Sequence, residues 1–173
     1  MVERIKWIDR KFDFNQPLEL FPVTLERLRG THARLVAMLQ PLPYDALLIK
    51  YPGVWSIQEH VGHLIDLEEL HEGRIDDFLA NRKMLRPADM TNGKTNYAEH
   101  NDNDIEDMLE DFYNVREHFI KRLEELEDEI LARAILHPRL NQLMRPVDMA
   151  IFIAEHDDHH LAIIRELINE GLA

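Results

Sequence analysis

With 173 residues, 45% of them apolar and 31% charged, the chain can bury a core without disulfides and is expected to form a single domain over residues 1–173. Its 33 acidic against 20 basic residues leave a formal charge of −13. Such a chain repels a phosphate backbone unless basic residues cluster into a stripe; none is visible, so no nucleic-acid partner is expected. Cysteine is absent, which excludes a disulfide framework, a thiolate metal site and a cysteine nucleophile, and means that any thiol chemistry needs a thiol from outside.

The first residues, Met1 to Trp7, lack the apolar core of a signal peptide. No stretch approaches the roughly 18 apolar residues of a membrane span, so a cytoplasmic protein with no membrane partner is expected. From Val23 to about Leu39 the residues Leu25, Leu28, Leu35, Val36 and Leu39 recur at helical spacing behind Pro22, which a first helical turn tolerates. Pro41 and Pro43 end this first helix.

Ser56-Ile57-Gln58-Glu59 has the form of a capping box, in which Ser and Glu each satisfy the other's backbone N–H, so a second helix is expected from Ser56 to about Asn81. The polar run Arg82–Asn103, broken by Pro87 and Gly93, is long for a bundle connection, and such loops often carry function. A capping-box-like start at Asn103-Asp104-Ile105-Glu106 opens a third helix, which Met108, Leu109, Phe112, Phe119, Leu123 and Leu126 carry to about Glu129. After a connection from about Ala132 to Arg145, Pro146 opens a fourth helix that Gly171 closes. No strand-like alternation is evident. Four amphipathic helices of similar length bury their stripes against one another, which predicts an all-α four-helix bundle.

The residues that point to chemistry lie on the fourth helix. His156 and His160 stand four apart in Ala154-Glu155-His156-Asp157-Asp158-His159-His160, so they project from one face about one turn (~6 Å) apart. With ten histidines in the chain the spacing alone is weak. Their place in the middle of an apolar stripe is the stronger argument, because buried imidazoles need partners for their ring nitrogens and a metal ion supplies one. Hydrogen bonds to neighbouring carboxylates would serve as well. A metal site needs a further ligand, and the second helix offers His60, His63 and His71, among which periodicity does not choose.

Trp55-Ser56-Ile57-Gln58-Glu59-His60-Val61-Gly62-His63-Leu64, taken with His156 and His160, resembles the pattern of the DinB/YfiT-like family of metalloenzymes over nearly the whole chain. That resemblance places the third ligand at His63. It further implies a four-helix bundle that often dimerises, and a divalent metal ion, zinc or nickel. By the same resemblance, the expected activity is transfer of an external low-molecular-weight thiol to a small electrophile. Metal-dependent hydrolysis of a small-molecule substrate and a non-catalytic metal-binding or dimerisation module are the alternatives. Glu59 is accounted for by its cap. Asp66, Glu68 and Glu69 read as a solvated acidic face. Trp7 and Trp55 read as packing residues and His32 as a core-edge histidine. Thr95, His100 and Asn101 are placed over the metal, and Arg139 is placed to meet an anionic group of the substrate.

Overall fold

The computed structural model describes residues 3–171. Two single 3-10 turns, Trp7–Asp9 and Leu18–Leu20, precede helix α1 (Phe21–Leu39). A short α2 (Tyr44–Leu47) leads to α3 (Ile57–Leu79), and a short α4 (Gly93–Tyr97) and a 3-10 turn (His100–Asp102) lead to α5 (Ile105–Glu124). After α6 (Asp128–Leu131), strands β1 (Ile135–His137) and β2 (Gln142–Met144) form an antiparallel hairpin that delivers the chain to α7 (Pro146–Gly171). None of these helices is long and apolar enough to cross a membrane.

The caps are those that the residue types dictate. Ser56 and Glu59 form the reciprocal box, with Glu59 N donating to Ser56 Oγ at 3.1 Å and Ser56 N donating to Glu59 Oε2 at 2.8 Å. At α5 the cap is Asp104, whose Oδ1 accepts from Glu106 N at 2.8 Å, so an Asp cap takes the place of the expected box starting at Asn103. The third helix stops at Glu124, short of Glu129, because Glu127 is extended at ψ 153 before α6 resumes. Leu126 and Ile130 pack on the same apolar cluster across that break, so their spacing alone reads as one helix. The hairpin went unread because three-residue strands are too short to show alternation. The stop expected at Gly171 falls at the last described residue.

Two apolar clusters set the topology. One joins Leu25 and Leu28 of α1, Phe78 of α3, Phe119 of α5 and Met149 of α7; the other joins Leu35 and Leu39, Val61, Phe112 and Ile164. The first takes the N-terminal halves of α1 and α7 and the C-terminal halves of α3 and α5. Hence α1 and α7 run one way and α3 and α5 the other. The main packing pairs are α3 with α5, α1 with α7, α1 with α5, and α3 with α7. Because α3 and its neighbour α5 are parallel, the chain must return the length of the bundle between them. That return is the reason for the long segment from Ala80 to Asp104. Between the two apolar clusters, the middle turns of all four long helices carry buried polar residues: Thr31, Glu68 with His71, Arg116, and His156, Asp157 and His160.

Candidate metal centre

The antiparallel neighbours α3 and α7 bring His63, His156 and His160 together. Each offers a ligand atom within 4.8 Å of the others, and all three side chains are buried. Nε2 of His156 and Nε2 of His160 face each other at 3.1 Å. Two nitrogens bound to one tetrahedral ion at about 2.0–2.1 Å stand about 3.3–3.4 Å apart, close to that spacing. Burial, reinforced by the neighbouring imidazoles, holds His156 and His160 well below the ordinary histidine range. Burial likewise pushes His63 down to about 4. All three are therefore neutral imidazoles at pH 7, the form that ligates metals.

Three further groups orient the triad. Thr95 Oγ1 donates to Asp66 Oδ2 at 2.9 Å, which leaves its lone pairs to accept from Nδ1 of His63 at 3.0 Å. The proton of His63 is thereby fixed on Nδ1, and its Nε2 presents a lone pair. Asp66 also accepts from His100 Nε2 at 2.9 Å. His60, the competitor for the third position, stands behind the triad with Nδ1 at 2.9 Å from Nδ1 of His160. A His160 that presents the Nε2 lone pair to the triad carries its proton on Nδ1 and donates it to His60, which then aims His160 rather than joining the group. Nδ1 of His156 and Nε2 of His60 have no hydrogen-bond partner.

The returning segment makes these contacts possible because it lies directly on α3. Gln58 Nε2 donates to the carbonyls of His100 and Asn103, both at 2.7 Å. A Cβ on Gly62 would stand 2.3 Å from the His100 ring, so only glycine lets that ring approach the helix. Of the loop residues expected over the site, Thr95 reaches His63 and His100 reaches Asp66. Asn101 instead accepts from Ser56 Oγ at 2.7 Å, at the start of α3. The tryptophans pack as expected, but against the histidines: Trp55 lies 4.8 Å from the His63 ring and Trp7 lies 4.8 Å from the His156 ring, centroid to centroid.

The acidic face expected on the second helix is largely absent. Of Asp66, Glu68 and Glu69 only Glu69 is exposed; Asp66 holds Thr95 and His100, and Glu68 is 2% exposed. Glu68 accepts from Arg116 Nη2 at 2.7 Å and contacts His71 Nδ1 at 3.2 Å. Asp157 is about 100° around α7 from His156 and turns toward α1 and α5. There it accepts from Thr31 Oγ1 at 2.8 Å and binds Arg116. Periodicity flagged neither Arg116 nor Asp157, because a charge at one core position of an amphipathic helix looks like noise in the stripe. His32 rests against Tyr113, ring centroids 5.1 Å apart, in contact with α5. His159 is half-buried beside Arg4, with its Nε2 3.3 Å from Arg4 Nη1.

His63 and His156 of the triad open onto a cavity of about 320 Å³, whose wall also includes Trp7, Leu67, Leu70 and Phe152. Arg139 lies on the same wall, where the sequence had placed it to meet a substrate.

A family model for the DinB superfamily matches residues 27–164. No curated protein matches the chain in sequence. Among solved structures, the fold is similar to that of YfiT from Bacillus subtilis, with a TM-score of 0.74, 19% identity and 93% of each chain covered. YfiT is described as "a probable metal-dependent hydrolase with an unusual four-helix bundle topology".

Proposed function

The chain belongs to the DinB superfamily, and from that premise we propose that it is a metal-dependent enzyme transferring an external low-molecular-weight thiol to a small electrophile. In this reading His63, His156 and His160 hold one divalent ion, zinc or nickel. The observation that carries it is a three-imidazole cluster of which two members, His63 and His156, open onto the cavity of about 320 Å³. A purely structural ion is closed off by a fourth side chain, whereas a catalytic one keeps a position free. The ion's contribution is to lower the pKa of a bound thiol or water, giving a nucleophile near pH 7.

The chain's own residues do the rest. Asp66 and Thr95 keep the His63 proton on Nδ1, and His60 accepts from Nδ1 of His160, so two of the three lone pairs are aimed before anything binds. Trp7 and Trp55 cover the flanks of the histidines and limit access of bulk water. With no cysteine in the chain, no internal thiolate competes for the open position. Hydrolysis is the second reading, favoured by the description of the similar B. subtilis structure. Assembly as a homodimer belongs to the same proposal and is checked by sedimentation.

Elemental analysis of the purified protein beside His63→Ala and His156→Ala is the test. The parent is expected to carry a stoichiometric divalent ion and both variants to lose it. Conjugation of low-molecular-weight thiols to 1-chloro-2,4-dinitrobenzene is expected to stop on chelation and return with zinc or nickel. Turnover that survives thorough chelation overturns the proposal. Metal-dependent cleavage of 4-nitrophenyl acetate without any thiol moves the assignment to hydrolysis.

A further inference from the structure

Besides two histidines of the triad, the cavity is lined by three residues that carry hydrogen-bond donors, Arg74, Arg139 and His137. Arg74 is 2% exposed, and its hydrogen bonds go to a neutral group, the Arg86 carbonyl, from Nε at 3.3 Å and Nη2 at 3.2 Å. Arg139 is half-buried; its Nη2 is shut off from water with no hydrogen-bond partner, and no carboxylate pairs with it among the described residues. His137 is 2% exposed and accepts from Leu140 N through Nδ1 at 3.2 Å, which puts its proton on Nε2. That Nε2–H is buried and has no partner. All three residues line the one cavity.

The nearby carboxylates are committed elsewhere. Asp77 is bound by Arg86, through its backbone N at 2.8 Å and Nη2 at 3.0 Å. Asp89 turns into its own loop, accepting from Thr91 and Gly93 N. Burial pulls Arg74 down to about 10, with Asp77 opposing and Arg139 and Arg86 adding to the effect. Two guanidiniums thus share one enclosure in a chain of net charge −13. A buried cation without a counterion is costly, and a planar guanidinium is the side chain best matched to a bidentate oxyanion.

We propose that this cavity binds the anionic end of a small substrate, a carboxylate or phosphate-type oxyanion held by Arg74, Arg139 and the Nε2–H of His137. Leu67, Leu70 and Phe152 offer an apolar wall to the rest of the molecule, and His63 and His156 on the same wall put its far end at the triad. The inference deepens the reading of the site as an enzyme centre and names the charge of its substrate. The binding itself needs no ion, which makes it separable from that reading.

Isothermal titration of the full chain, metal-loaded and after chelation, with benzoate, phenylphosphonate and uncharged benzamide tests it. At least one of the two anions is expected to bind both forms, with benzamide weaker by about tenfold or more. Whichever anion binds tighter assigns the group as carboxylate or phosphate-type. Arg139→Gln, at the half-buried position, is expected to weaken anion binding about tenfold and to leave the metal content unchanged. Arg74→Lys, which keeps the charge but loses the fork, serves as the second variant should one of them melt early. Benzamide binding as tightly as both anions, anion binding that vanishes on chelation, or anion affinity unchanged in both variants overturns the inference. Loss of the metal proposal alone leaves the anion titration of the chelated protein standing.

Discussion

Two buried polar regions share the middle turns of the bundle, and they differ in whether they are complete. Around Arg116, the guanidinium meets Glu68 and Asp157 while Thr31 donates to Asp157. One network thereby ties α1, α3, α5 and α7, leaving only Glu68 Oε2 without a partner. Around the triad and its cavity the reverse holds. Among the described residues, four of the six buried side-chain atoms without a partner belong to His60, His137, Arg139 and His156. The two regions even use adjacent residues, His156 and Asp157. Buried polar groups in folded proteins are nearly always hydrogen-bonded. The satisfied region therefore reads as architecture, and the deficient one as a place prepared for something the chain does not contain.

Arg116→Met tests the comparison most severely. It strands two buried carboxylates and is expected to cost about 3–5 kcal/mol in urea unfolding. A loss below about 1 kcal/mol would mean that the network is not the architectural element. On the deficient side, Thr95→Val and His60→Ala remove groups that aim His63 and His160. Each is expected to weaken metal affinity about 10–100-fold in a chelator competition while shifting the urea midpoint far less than Arg116→Met does. If either variant unfolds the protein as readily as Arg116→Met, the division between the regions fails.

The smallest effect is the acid response of the metal-free protein, and there the regions separate by pH. His137 is held at about 3 by burial, aided by Arg74 and Arg139. The unfolded chain therefore takes up its proton near 6.5 while the folded chain does not, and stability falls as pH drops from about 6.5 toward 3. At Glu68 burial favours the neutral acid, but Arg116 and His71 outweigh it and hold the carboxyl at about 2. Its contribution is complete above about 4.5 and is lost as pH falls toward 2. The urea midpoint is expected to decline in two stages. His137→Gln should lessen the upper stage, where the other buried imidazoles still contribute, and leave the lower one in place. A midpoint flat from pH 7 to 5 would remove the distinction.

Much of the fold is legible in the chain because helix formation is local. The start of α3 follows from Ser56 and Glu59, the start of α7 from Pro146, and the four stripes from spacings of three and four residues. The resemblance carried by Trp55 to Leu64 and by His156 with His160 is borne out by the family match. The break after Glu124 and the hairpin at Ile135–Met144 were hidden because each involves too few residues to interrupt or establish a period. Glu68, Arg116 and Asp157 were hidden for a different reason. Each is a lone charge whose partners lie on other helices, 41 to 48 residues away along the chain.

By itself, then, the sequence determined four helices, the Ser56–Glu59 cap of the second and the pair His156 and His160 on one face of the last, since all of these depend on residues within a turn or two of one another. Only the tertiary structure decided that α3 and α7 are antiparallel neighbours, that His63 joins the pair while His60 stands behind it, and that Arg74, His137 and Arg139 share one cavity. Helix order and rotation come from how apolar stripes and buried charges from distant segments fit together, and a local period carries no record of that fit.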